Sequence, residues 1–176
     1  TIYRSGFLMF YLTVTACGHI AKAPDKSNSS PFFERGIIAG STQEYSHPRY
    51  VSLARLMNND ILAVFAGMGT DDPDNVAIWS CYSTDNGKTW SKPVIAVDTP
   101  EYMDCDPNIV VCRDRVLVVA TTRKARELIW TKFPFSTSHD NGRTWEPGGI
   151  IDHFHNYSSG KLQAATRLRN GRLLVP

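Results

Sequence analysis

From residue 50 onward the chain is cut into short apolar runs, each interrupted by a pair of turn-forming residues. Ser52-Leu53-Ala54-Arg55-Leu56-Met57-Asn58-Asn59-Asp60-Ile61-Leu62-Ala63-Val64 reads as strand, turn, strand. Ala165 to Val175 repeats it around Asn170-Gly171, and Asn108 to Val119 is a middle copy around Arg113-Asp114. Apolar stretches of this length bounded by Asn, Asp and Gly predict β-hairpins. Strands are expected near 50–56, 60–66, 76–83 and 93–97, then near 107–112, 115–122, 128–137 and 148–152. A third set opens near 162–168 and 172–176. The pattern is all-β and periodic.

The period is marked a second time by an octapeptide. Residues 83–90 read Ser-Thr-Asp-Asn-Gly-Lys-Thr-Trp and residues 138–145 read Ser-His-Asp-Asn-Gly-Arg-Thr-Trp, so both have the form Ser-x-Asp-x-Gly-x-Thr-Trp. Asp140 follows Asp85 by 55 positions, and each Asp lies 26 positions after a hairpin turn, at Asn59 and at Asp114. Chemically the octapeptide is a self-bonded turn. Gly87 and Gly142 accept positive φ, while the carboxylates of Asp85 and Asp140 can take local N–H bonds. Ser83 and Ser138 can close the turn, and Trp90 and Trp145 can pack on a neighbouring strand. Repetition of four β-strands at this period predicts the blades of a β-propeller.

Composition narrows the setting. The 176 residues carry 19 Lys+Arg against 17 Asp+Glu, with no long run of one sign. Nothing in that balance calls for nucleic acid or an anionic membrane as partner. Arg4 precedes the apolar stretch Phe7 to Leu12, followed by Val14-Thr15-Ala16-Cys17, the order of a secretory signal peptide. Val-Thr-Ala-Cys is similar to a bacterial lipoprotein box, which would make Cys17 the lipidated residue and the sole route to a membrane; an ordinary signal peptide that contains a Cys is the alternative. The expected organisation is therefore signal peptide over 1–17, polar linker over 18–35 and folded sequence over 36–176. Because the sequence opens on Thr1, its true start is expected to lie upstream. Cys81, Cys105 and Cys112 make no complete disulfide framework; a Cys105–Cys112 pair is conceivable, but free buried thiols are expected. No Cys/His spacing suggests zinc, and no metal or cofactor is expected.

The paired octapeptides resemble the Asp box of the sialidase superfamily, whose members are β-propellers. That resemblance implies six four-stranded blades, of which about two and a half fall within the sequence. A third box would come near residue 197, so the sequence is expected to be the first part of a longer protein. It also implies that the boxes are folding devices, remote from the chemistry.

Antiparallel connectivity predicts two ends. First-to-second turns and both boxes share one. The other gathers Tyr45–Tyr50, Gly67–Asn75, Pro100–Pro107, Arg123–Glu127 and His153–Lys161. Loops of the second kind are where a propeller binds ligands. The family opens its first blade with an Arg-Ile-Pro-Ala-Leu pattern, ten residues before the hairpin glycine. Counting back from Asn59 gives Arg49, in Arg49-Tyr50-Val51-Ser52-Leu53. The resemblance makes Arg49 the first of three arginines that clamp the substrate carboxylate, a task suited to a planar guanidinium. It assigns the acid/base to the loop Thr70-Asp71-Asp72-Pro73-Asp74-Asn75, where spacing favours Asp72, with Asp71 or Asp74 as alternatives. Clustered carboxylates can raise one another's pKa, as a general acid requires. Met103-Asp104-Cys105-Asp106-Pro107 is similar to the family's Met-Asp-Pro, which places Met103 and Asp106 at the sugar, although Asp-Pro is also common at a strand entry. His155, within His153-Phe154-His155-Asn156-Tyr157, is a further candidate for substrate contact.

Two departures stand out. Ala66-Gly67-Met68-Gly69 lacks the Arg that the family carries after its second strand, and Tyr50-Val51 replaces Ile-Pro. The other clamp arginines, the nucleophilic Tyr and its activating Glu would lie in later blades. The leading expectation is an exo-α-sialidase acting on glycoconjugates, with the 176 residues alone inactive. The alternatives are another carbohydrate-active propeller enzyme, a non-sialic glycosidase or a polysaccharide lyase working through His and Asp, or a non-catalytic glycan-binding propeller.

Overall fold

A computed structural model describes residues 36–72, 74–124, 132–151 and 166–174. Along the chain, Thr1–Arg35 and Gly36–Pro176 form separate units, and all described residues belong to the second. Cys17 and His155 lie outside the described residues.

Strands β1 (Tyr45–Arg55), β2 (Ile61–Gly69), β3 (Val76–Ser83) and β4 (Val94–Val97) form one antiparallel meander. Strands β5 (Tyr102–Val111), β6 (Val116–Lys124), β7 (Phe133–Ser138) and β8 (Glu146–Ile151) form a second. A single parallel pairing, Val76 with Met103, joins them. The pair β9 (Thr166–Arg167) and β10 (Leu173–Leu174) is an antiparallel hairpin. These are two blades and the opening of a hairpin at the third expected place.

The side-chain period of two explains why β2 and β3 read as nearly unbroken apolar runs: both of their faces are buried. Leu62, Val64, Ala66, Val76 and Ile78 turn one face toward Met103, Cys105, Ile109, Val116, Val118 and Ala120 of the second blade, forming the main core. Ala63, Phe65, Ala77, Trp79 and Cys81 occupy the opposite face with Tyr45. There the Tyr45 ring sits 4.6 Å from Trp79 and 5.5 Å from Phe65. Each large apolar side chain so buried contributes about 1.5–3 kcal/mol. Cys81, Cys105 and Cys112 are free thiols, the first two buried. Burial pushes both buried thiols up to about 11.

Both octapeptides close as their residues dictate. Ser83 Oγ donates to Asp85 Oδ1 at 2.8 Å and accepts the Gly87 N–H at 2.8 Å. Asp85 then accepts the Thr89 N–H at 2.9 Å and its hydroxyl at 2.7 Å. The second copy repeats this with Ser138, Asp140, Gly142 and Thr144. Positive φ at the successive pairs Asn86–Gly87 and Asn141–Gly142 makes the turn, and Gly carries the larger angle in each. The tryptophans diverge. Trp90 Nε1 donates to its own Gly87 carbonyl at 3.1 Å, whereas Trp145 Nε1 crosses to the first blade and donates to the buried Ser80 Oγ at 2.8 Å. Arg143 accompanies it, reaching Asp60 Oδ2 at 3.1 Å and lying 4.4 Å over the Tyr82 ring. The second box thus fastens one blade to the other.

The strands extend farther than the apolar pattern suggests. β1 begins at Tyr45 and β5 at Tyr102, five residues earlier in each case, because bulges carry them through polar sequence. Asp106-Pro107 accordingly lies inside β5, at a bulge between Cys105 and Asn108, and is not a strand entry. Among the described residues no helix is long and apolar enough to cross a membrane.

Candidate functional site

The boxes and the turns at 56–60 and 112–115 share one end of the blades, where Arg55 Nη1 reaches Asn86 Oδ1 at 3.2 Å. Loop 70–75 and the inter-blade link 98–101 lie at the other, beside the start of β1. The candidate residues gather at this second end.

Arg49 stands on β1 opposite Ala66, between two register shifts, with positive φ at His47 and Tyr50. A regular strand would alternate its side chains between faces, and a bulge on either side re-aims this one. Its guanidinium carbon is 5.3 Å from the Tyr50 ring centroid, and its Nε is buried without a hydrogen-bond partner. A buried, unpaired donor on a cation is costly unless a ligand satisfies it. Asp106 has positive φ at the β5 bulge. The charges of Arg49, Asp106, Arg123 and Asp104 all bear on the Cys105 thiol, which places that thiol among them. Arg123, opposite Met103 on β6, brings a second guanidinium that the sequence motif does not supply. Met103 itself is taken up in the inter-blade core.

Asp71 and Asp72 are exposed on the loop after β2, and Asp72 Oδ1 accepts the Asp74 N–H at 2.9 Å. Gly69 permits this fold-back. Its N–H reaches the Asn75 carbonyl at 2.7 Å, and a Cβ there would stand 2.8 Å from the Asp72 carbonyl oxygen. The segment where the family carries an Arg is instead a close approach of backbone to loop. Asp72 and Asp74 open on a cleft of about 460 Å³ shared with Asn75, Asp98, Glu101 and Tyr102. Arg49 does not line that cleft. Among the described residues no group of three His, Cys, Asp or Glu side chains is arranged to hold a metal ion.

Asp104 is the residue the sequence reading left without a role. It is fully buried on β5, and its Oδ2 accepts the Thr99 N–H at 2.7 Å, tying the inter-blade link to the strand. Burial pushes its carboxyl up to about 7, while the Thr99 N–H pulls it back and the Asp98 charge adds to the rise; Oδ1 has no hydrogen-bond partner, and the nearby Thr122 hydroxyl donates to the Met103 carbonyl at 3.1 Å. Between about pH 4 and 7 the folded state therefore holds a proton that the unfolded state has lost, so stability falls as pH rises through that window. The boxes act oppositely. Hydrogen bonds from Thr89 and Ser83 hold Asp85 at about 2. Burial lifts Asp140, but bonds from Thr144, Ser138 and Arg143 outweigh it and leave it at about 2. Their contribution is present above about pH 4 and lost as pH falls toward 2. Denaturant titrations should accordingly show lower stability at pH 8 than at pH 5. Asp104→Asn should flatten that slope, which has a ceiling of about 3 kcal/mol because roughly two pH units of the window lie above pH 5. An unchanged slope in the variant would show that Asp104 does not carry it.

The BNR/Asp-box repeat family matches residues 82–92 and 136–147. No curated protein matches the chain. Among solved structures, the NanB sialidase of Streptococcus pneumoniae is similar with a TM-score of 0.61 and 12% identity, over 81% of this chain and 42% of that one. A protein of unknown function from Dyadobacter fermentans gives 0.60 and 18%, over 78% and 48%. A thermostable family-43 glycoside hydrolase gives 0.59 and 11%, over 81% and 49%. The chain spans under half the length of each. At these identities the likeness is one of fold: a sialidase-like, BNR-repeat propeller of the kind glycoside hydrolases use.

Proposed function

We propose that the complete protein is an exo-α-sialidase, exported by its N-terminal segment and tethered through a lipid on Cys17. The observation that carries this reading is Arg49: a partly buried guanidinium with an unsatisfied Nε, on the doubly bulged strand β1 at the loop end, with the Arg123 charge in the same neighbourhood. Such a place suits a carboxylate, which accepts two parallel charge-assisted hydrogen bonds. In this reading Arg49 binds the carboxylate of a terminal sialic acid and Asp106 accepts from a sugar hydroxyl. Asp72 gives its proton to the glycosidic oxygen as the C–O bond breaks, and water supplies the hydroxyl of the released sugar. Sialidases form their covalent intermediate on a Tyr, outside the usual two-carboxylate scheme.

Asp72→Asn in the complete protein tests the acid. Loss of a general acid costs roughly 10²–10⁴-fold on an alkyl or sugar leaving group, and far less on a phenol that leaves unaided. Equal losses on both would remove Asp72 from the role and turn attention to Asp74, which lines the same cleft. A neutral-glycan glycosidase is the second reading, suggested by the family-43 likeness and the acidic cleft. Hydrolysis of an arabinofuranoside with none of a sialoside would establish it instead.

A further inference from the structure

A general acid works only when it stands within about 2.6–3.2 Å of the atom it protonates. Asp72 sits exposed on the loop 70–75, and exposed loops are the most mobile parts of a fold. The loop closes on itself: the Asn75 N–H donates to the Asp72 carbonyl at 3.0 Å, and Asp72 Oδ1 accepts the Asp74 N–H at 2.9 Å. Those bonds fix the shape of the loop but not its place on the blade. A bond to a segment outside it bears on that place. The β1–β2 pairing ends at Tyr45 and Gly69, and one residue on, the Thr70 hydroxyl carries the link forward by donating to the Gln43 carbonyl at 3.0 Å.

Gln43 is itself held. Thr42 Oγ1 accepts the Glu44 and Tyr45 N–H groups at 3.1 and 3.2 Å, and the Thr42 N–H donates to the Tyr45 carbonyl at 2.8 Å. This turn runs directly into Tyr45, whose ring is buried against Phe65 and Trp79. Upstream, Ile38 and Ala39 pack on the same cluster. Glu44 also meets Lys92 Nζ at 3.0 Å, but both side chains are exposed and the pair adds little. Residues 36–44 therefore form a strap, rooted in the core of the first blade and bonded to the loop through Thr70.

We infer that Thr70 is a positioning residue for the acid: its bond to the Gln43 carbonyl fixes the loop 70–75, and with it Asp72, against the strap. The inference rests on the reading of Asp72 as the acid, and it extends the catalytic apparatus to a segment that touches no substrate.

The test compares, in the complete protein, kcat/KM for a trisaccharide in which sialic acid caps lactose with kcat/KM for an aryl sialoside whose phenol leaves unaided. A displaced acid harms the first substrate and spares the second, whereas a loss of folded protein harms both alike. Thr70→Val should lower the trisaccharide-to-aryl ratio about three- to tenfold, the scale of one hydrogen bond. Thr70→Ser keeps the donor and should preserve the ratio. Thr42→Val loosens the turn that holds Gln43 and should lower the ratio too, and the double variant should lose less than the product of the two. Hydrogen exchange reads the same effect without turnover: the amides of Asp71, Asp72, Asp74 and Asn75 should exchange faster in Thr70→Val. A ratio unchanged by Thr70→Val, or lost equally in Thr70→Ser, overturns the positioning role. If Asp72→Asn shows a loss that depends on the leaving group while Thr70→Val does not, the strap alone fails. If Asp72→Asn shows no such dependence, the acid reading fails and the inference with it. Should wild type hydrolyse neither substrate, exchange decides: faster exchange in Thr70→Val sustains the hold of the strap on the loop, and unchanged exchange overturns it.

Discussion

Arg49→Lys in the complete protein is expected to lower kcat/KM on a sialoside by between about tenfold and a few thousandfold, while the melting temperature scarcely moves. Lysine keeps the charge but replaces a planar fork with a point donor, so a carboxylate that took two parallel bonds takes one. Leaving a charged partner incompletely paired in a desolvated site costs roughly 2–5 kcal/mol, which sets that range. Stability is insulated because Arg49 Nε has no hydrogen-bond partner, so the substitution deletes no bond at that atom. Its ring neighbour Tyr50 is itself exposed, and a weak cation–π contact there adds little. Near-normal turnover in the lysine variant would remove Arg49 from the site.

The second large effect falls on the fold and comes from the far end of the blades. Trp145→Ala should destabilise the chain by about 3 kcal/mol, at the low end of the range for aromatic truncation because the indole is only partly buried. It removes both the contact with the main core and the bond to Ser80 Oγ. Trp145→Phe isolates the bond. It leaves the fully buried Ser80 hydroxyl without its donor, at a cost of about 1 kcal/mol, and Ser80→Ala in the same chain should recover most of that loss. Trp90→Phe should cost less, since that indole bonds only its own turn. Denaturant unfolding of the four variants checks the scheme, and equal losses for Trp90→Phe and Trp145→Phe would mean that the cross-blade bond carries no stability. Turnover per folded molecule should be little affected, as the boxes lie at the end away from Arg49 and Asp72.

How legible each part was follows from how local its physics is. The boxes could be read because the bonds that close each turn, among Ser83, Asp85, Gly87 and Thr89 and among Ser138, Asp140, Gly142 and Thr144, span no more than five residues each. Hairpin positions followed from Asn and Gly for the same reason. That Trp145 would find Ser80 and Trp90 would not depends on which blade stands beside each box, a tertiary fact absent from two nearly identical octapeptides. Of the two bulges around Arg49, the first carries a signal in His47-Pro48, whereas the second is hidden because Tyr50 is not a residue that announces positive φ. Pro107 did carry a usable signal, since proline inside a strand marks a bulge or an edge, yet Asp-Pro reads equally well as a turn. Asp104 gives no local signal, because its burial depends on the Thr99 link and on Thr122 of the next strand.

The central claim is that the loop end of the first blade binds a carboxylate through Arg49. A crystal structure of the complete protein with a sialic acid analogue tests it most directly. The analogue's carboxylate is expected within about 3 Å of the Arg49 guanidinium, with the glycosidic position directed at the cleft of Asp72 and Asp74. An analogue bound away from Arg49, or oriented with its carboxylate toward Asp72, would contradict it.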